Sequence, residues 1–144
     1  MIHNAHPYQE KMFNSLRSKL KKYNRIVMQA PTRSGKSFIF SSITSNAFSR
    51  GKKIWVIVPL TILLDQTKEH FRKWGISHGI ISAGRNESLA FNVHIVSKQT
   101  IERRWQKIKR WPDIIIIDEC HVNYIFQLKL ISYAQPETII IGFT

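Results

Sequence analysis

The chain has 144 residues, 43% hydrophobic and 22% charged, which suits one folded soluble domain and excludes a disordered chain. Lys plus Arg number 22 against 9 Asp plus Glu, a formal net charge of +13 that points to a polyanionic partner, nucleic acid first. One cysteine, Cys120, excludes an intrachain disulfide and suits a reducing compartment. No run approaches the roughly 18 apolar residues of a membrane span, and the N-terminus lacks a signal-peptide core. The expected location is the cytoplasm, with a nucleoid or a viral host's cytoplasm as variants.

In chain order, a helix is predicted from about Pro7 to Lys22, with Pro in its first turn and the cations from Arg17 to Lys22 on an exposed face. Apolar runs of strand length follow at Ile26 to Met28, Ile54 to Val58, Gly79 to Ile81, Val93 to Val96, Ile114 to Ile117 and Thr138 to Ile141. They are continuous rather than alternating, as strands covered on both faces of a parallel sheet are. Helical stretches separate them. Phe40, Ile43, Ala47 and Phe48 share a face of one, and Ile62, Leu63, Gln66, His70 and Trp74 are expected to line another. Strand and helix alternate, so the fold class is α/β, a mostly parallel central sheet with helices on both faces. The sequence stops at Gly142-Phe143-Thr144, directly after a strand, and a fragment boundary is expected there.

The first strand runs into Ala30-Pro31-Thr32-Arg33-Ser34-Gly35-Lys36-Ser37. A strand, a short loop and a helix start in that order aim backbone N–H groups and the positive helix end at one spot, a phosphate cradle over residues 32–37. Lys36 would reach β- and γ-phosphates, and the Ser37 hydroxyl would ligate Mg²⁺. The strict phosphate-loop pattern has Gly where Ala30 stands, and a basic turn with the same letters is the competing reading. The four Ile from 114 to 117 form a buried strand with Asp118 and Glu119 at its C-terminal end. Ligands bind at that edge of a doubly wound sheet, and the loop reaches the same edge. Asp118 can hold Mg²⁺ through water, while Glu119 can orient and deprotonate an attacking water. Helix capping is the bland alternative for the two acids.

The stretches "APTRSGKS", "VPLTILLDQ", "IVSKQT", "DECH" and the terminal "GFT" stand in the order and spacing of motifs I, Ia, Ic, II and the approach to III of superfamily 2 helicases. From about Pro7 to Thr144 the chain resembles the first RecA-like domain of that superfamily, a P-loop NTPase fold, in the DEAD/DEAH-box-like branch with Asp-Glu-x-His as its second motif. That family commonly has Ala at the position of Ala30. The resemblance implies ATP and Mg²⁺ as cofactors and nucleic acid, single-stranded DNA foremost, as partner. It makes Lys36, Asp118, Glu119 and His121 the catalytic set, with His121 linking the nucleotide site to motif III. Thr32, Arg33, Ser34, Gly35, Lys36 and Ser37 become the phosphate loop, and Ser37 and Asp118 the Mg²⁺ ligands. Pro7-Tyr8-Gln9 matches the upstream segment whose Gln reads adenine, although an ordinary helix start has the same letters. Pro59, Leu60 and Gln66 of motif Ia and Ser97, Gln99 and Thr100 of motif Ic would line the strand path, with Gly84 and Arg85 adding a backbone contact.

Two departures stand out. The family usually has Gly at Arg33, where a positive φ is cheap, so the loop is expected to differ in shape or to use Arg33 as an extra phosphate ligand. The second RecA-like domain, with its arginine fingers, is not in these residues, so weak or no turnover is expected of the 144-residue chain alone. The run Arg103-Arg104-Trp105-Gln106-Lys107-Ile108-Lys109-Arg110-Trp111 combines cations with two indoles. Both indoles are expected to pack inward, with the cations acting as long-range attractors. His3, His6, His70, His78 and His94 have no ligand spacing with Cys120, so no structural zinc is expected. The function that follows is the ATP-binding half of a DNA helicase or translocase. A nucleotide-responsive binding module without turnover, the translocating part of a restriction enzyme, and an RNA helicase remain as alternatives.

Overall fold

Six short runs of β-branched residues become one sheet in the computed structural model, which describes residues 7–29, 36–59, 61–82, 91–104, 107–108, 110–120 and 124–144. In chain order the elements are α1 (Pro7–Leu20), β1 (Arg25–Met28), α2 (Lys36–Ser49), β2 (Ile54–Val58), α3 (Thr61–Lys73) and β3 (Gly79–Ile81). These are followed by β4 (Val93–Ser97), α4 (Lys98–Glu102), β5 (Ile114–Ile117), α5 (Tyr124–Tyr133) and β6 (Ile139–Phe143). The sheet order is β1-β6-β5-β2-β4-β3, and every pairing is parallel. Among the described residues no helix is long and apolar enough to cross a membrane.

Helices cover both faces, which is why the strands read as unbroken apolar runs. On one face Phe13 and Leu16 of α1, Ile39, Phe40 and Ile43 of α2, and Leu64 and Phe71 of α3 pack against Ile54, Val56, Ile116 and Ile141. On the other, Ile101 of α4 and Phe126 and Leu130 of α5 pack on Ile57, Val96, Ile115 and Ile140. Alternate residues of β5 thus enter different cores. The exposed cations at Arg17, Lys19, Lys21 and Lys22 lie on the solvent side of α1 and the turn after it, as expected.

Two expectations need correction. The buried stripe of α3 runs through Leu64, Thr67 and Phe71; Leu63, His70 and Trp74 only flank it, and Gln66 is exposed. The face is rotated because the core takes up Leu64 and Phe71 completely. The last strand also runs to Phe143 rather than stopping at Ile141. Phe143 is fully buried, in an edge-to-face contact with Phe40 at 6.1 Å, and Gly142 before it carries no side chain to signal a strand.

The N-terminal ends of the strands are tied by polar clamps. Asp113 accepts a hydrogen bond from the Lys53 backbone N–H at 2.8 Å through Oδ2 and returns its own N–H to the Lys53 carbonyl at 2.8 Å. The Arg25 guanidinium donates to the carbonyls of Gln135, Pro136 and Thr138, which fixes the turn ahead of β6.

Candidate nucleotide site

β1 ends at Met28, and α2 begins at Lys36 with Ser37 next, so the backbone around the loop is strand, loop and helix start. Thr32, Arg33, Ser34 and Gly35 lie outside the described residues, as do Leu60, Gly84, Arg85, Trp105 and His121. A helix of 14 residues beginning at Lys36 carries a positive end at that point. Asp118 and Glu119 follow β5 directly. The sheet order puts only β6 between β1 and β5. At the usual strand spacing the two strand ends are therefore about 10 Å apart. A triphosphate and its metal ion span a gap of that size.

The turn that holds the acids is tightly specified. The Asp118 N–H donates to the Ile57 carbonyl at 3.0 Å, anchoring the end of β5 to β2. Glu119 has φ +52°, the one positive φ at a non-glycine residue among those described. Such a conformation costs a side-chain-bearing residue roughly 1–3 kcal/mol and persists where the surroundings impose it. Cys120, next along, is 4% exposed and packs with Ile117, Phe126 and Ile140. Both acidic residues are half-buried.

Gly142 makes room for this turn. It pairs with Ile117 on one side and Val27 on the other, and a Cβ there would lie 2.8 Å from Cys120 Sγ and 3.1 Å from its Cβ. Gly142→Ala is expected to push Cys120 and the acid turn away from β6. Overpacking of this kind costs about 1–3 kcal/mol, roughly 3–10 °C in melting temperature at this size. The double variant with Cys120→Ala should recover most of the loss in thermal melts, a coupling that two independent sites would lack.

Pro59 and the segment 97–100 meet at the neighbouring strand ends. Gln99 Nε2 donates to the Pro59 carbonyl at 3.0 Å, and Ser97 Oγ donates to Gln99 Oε1 at 2.9 Å. Gln99 therefore spans the ends of β2 and β4, while Ser97 and Thr100 are 7% and 4% exposed. Gln66 is exposed on α3. Gln9 is 5% exposed and shares the buried face of α1 with Phe13 and Leu16. Trp111 is half-buried against Trp55, with ring centroids 5.6 Å apart, so that indole packs inward as expected.

Lys98 was not among the residues singled out by motif. It lines a narrow cleft with Pro59, Asp118, Glu119 and Phe126. Its ammonium lies 3.3 Å from Glu102 and 5.7 Å from the centre of the Phe126 ring. The sequence signal was the Lys98–Glu102 spacing of four on a helix, which says nothing about proximity to β5.

An all-parallel six-stranded sheet covered by helices, with a loop-to-helix junction and an acid pair on one edge, is the layout of a RecA-like domain of the kind found in superfamily 2 helicases. Comparison with known proteins gives the family: residues 2–144 match the model for the type III restriction enzyme res subunit, and the chain belongs to that family. No curated protein matches it significantly. Among solved structures, the UvsW helicase from bacteriophage T4 is similar with a TM-score of 0.74 and 22% identity, over 96% of this chain and 51% of that one. The SWI2/SNF2 ATPase core of Sulfolobus solfataricus, solved in complex with dsDNA, gives 0.79 and 18%, over 100% and 32%. A nuclease-deletion mutant of the type ISP restriction-modification enzyme LlaGI, with a DNA substrate mimic, gives 0.69 and 17%, over 98% and 17%. The chain thus spans about half or less of the length of these neighbours.

Proposed function

We propose that the chain binds Mg-ATP between residues 32–37 and the Asp118–Glu119 turn, as the ATP-binding half of a DNA helicase or translocase. The observation that carries this reading is the meeting of the loop after β1 and the acids after β5 on one sheet edge, one strand apart. Membership of the restriction-subunit family and the DNA in two of the neighbouring structures support DNA over RNA. On this reading Glu119 is the residue that separates an ATPase from a module that only binds nucleotide.

The donors fit Mg²⁺. A half-exposed carboxylate at a strand end and a hydroxyl in the first turn of a helix are hard oxygen ligands of the kind this ion takes. Asp118 would hold it through water and Ser37 directly, and once bound it would neutralise charge on the β- and γ-phosphates. Backbone N–H groups at the start of α2 and the Lys36 ammonium hold the phosphates. Glu119 takes the proton of a water whose oxygen bonds to the γ-phosphorus as the bond to the β–γ bridging oxygen breaks. ADP leaves with that electron pair. Pro59 and Lys98 line one cleft with Asp118 and Glu119, so a strand bound at the end of β4 and the start of α4 would lie beside the acid turn.

Calorimetric titration with ATP tests the reading. Binding is expected with Mg²⁺ and should weaken at least tenfold in EDTA, because the carboxylates then face the triphosphate without a cation between them. Absence of binding in both conditions would overturn the assignment.

A further inference from the structure

At the opposite ends of the strands lies a cleft of about 570 Å³ that the nucleotide reading does not use. Its lining includes Lys53, Trp55, Phe91, His94, Arg110 and Trp111. Lys53 precedes β2 and the acid turn lies beyond the far end of the neighbouring β5, so the length of a five-residue strand, about 16 Å, separates the two sites. The floor is aromatic. His94 and Trp55 are cross-strand partners, and Trp55 meets Trp111 in a tilted pair at 5.6 Å. Gly79, the partner of His94 on the other side, leaves space that the His94 and Phe91 rings enter: a Cβ there would stand 2.9 Å from His94 and 3.1 Å from Phe91.

The rim is cationic. Lys53 and Arg110 are exposed. Asp113 also lines the cleft, its Oδ2 accepting from the Lys53 backbone N–H, so the rim sets two cations against one carboxylate. Rings beneath, cations above and room for one nucleotide are the ingredients of sequence-tolerant single-strand binding, in which a base lies on a ring face while the backbone is neutralised. A chain of net charge +13 already draws polyanions to its surface. We propose that this cleft is a second nucleic-acid contact, taking an unpaired base on Trp55, Trp111 and Phe91 with its flanking phosphates on Lys53 and Arg110. It depends on the chain being a nucleic-acid binder and not on the nucleotide assignment.

The test is fluorescence anisotropy of a labelled 20-mer of oligo-dT, with oligo-U in a parallel arm, titrated against the chain at several salt concentrations. Single-strand binding loses roughly 0.7 in log–log salt slope per phosphate contact removed. Lys53→Glu with Arg110→Glu should therefore flatten the slope by about 1.4 and weaken binding at least tenfold. Lys19→Glu with Lys22→Glu, an equal charge change at exposed positions on and after α1, should cost distinctly less. Trp111→Leu should weaken binding about tenfold with the slope unchanged; if it fails to fold, the charge pair, which keeps the rings, decides. Quenching of indole fluorescence by dT oligonucleotide should disappear in the cleft variants. Equal losses from the cleft and α1 pairs, or unchanged binding of both DNA and RNA in the cleft pair, would overturn the proposal. In the second case the cleft would be left to a protein partner. ATP titration of the same variants keeps the two readings apart, because their nucleotide affinity should match the parent chain.

Discussion

Lys36→Ala is expected to remove measurable Mg-ATP binding from an otherwise intact chain. The side chain belongs to the first residue of α2, at the positive end of a 14-residue helix, on the sheet edge that carries Asp118 and Glu119. Two carboxylates at that edge would repel a triphosphate, and on the proposed reading the Lys36 ammonium would offset them. Each hydrogen bond from a charged group contributes roughly 1.5–3 kcal/mol. A lysine serving two phosphates therefore accounts for about a hundredfold in affinity or more. Alanine is the best helix former, so the start of α2 should survive. Calorimetry with Mg-ATP would give no resolvable heat, and the thermal melt would stay within a few degrees of the parent. Arg33 is the competing cation. If Lys36→Ala retains affinity within threefold and Lys36→Ala with Arg33→Ala does not, the phosphate contact belongs to Arg33.

The strands were legible because burial on both faces writes itself as unbroken apolar runs, and Ile54–Val58, Gly79–Ile81 and Ile114–Ile117 stand where those runs end. Periodicity failed where a side chain was missing or a face was mixed. Gly142 hid the end of β6, and the polar Thr67 hid the centre of the α3 stripe. The order of strands is in no local pattern; that β6 separates β1 from β5 follows from the whole set of crossovers. The same limit applies to the site. The motifs named Ser97, Gln99 and Thr100 as one group, but the fold buries two of them and ties the third to Pro59. Lys98, between them, lines the cleft beside Asp118. A left-handed backbone at Glu119 has no sequence signal either, since glutamate has no special tolerance for it.

That backbone gives the second large effect its design. Glu119→Gln keeps the length and shape of the side chain and asks no more of the φ +52° turn than glutamate does. What it removes is the ability to accept a proton from the attacking water. A positioned general base contributes typically about 10²–10⁴ in rate, so hydrolysis should fall by that factor. Nucleotide binding should hold or tighten, because a negative charge near the γ-phosphate has gone. The measurement is single-turnover hydrolysis of labelled ATP with enzyme in excess, which reads even a slow basal rate, alongside calorimetric affinity for Mg-ATP. Loss of turnover with retained binding marks Glu119 as acting on the water. Loss of both would instead mean that the turn has moved, and the melt of Gly142→Ala supplies the reference for that failure, since it displaces the same turn without touching the carboxylate. Turnover unchanged in Glu119→Gln would remove the residue from the chemistry and leave a module that binds nucleotide without a base of its own.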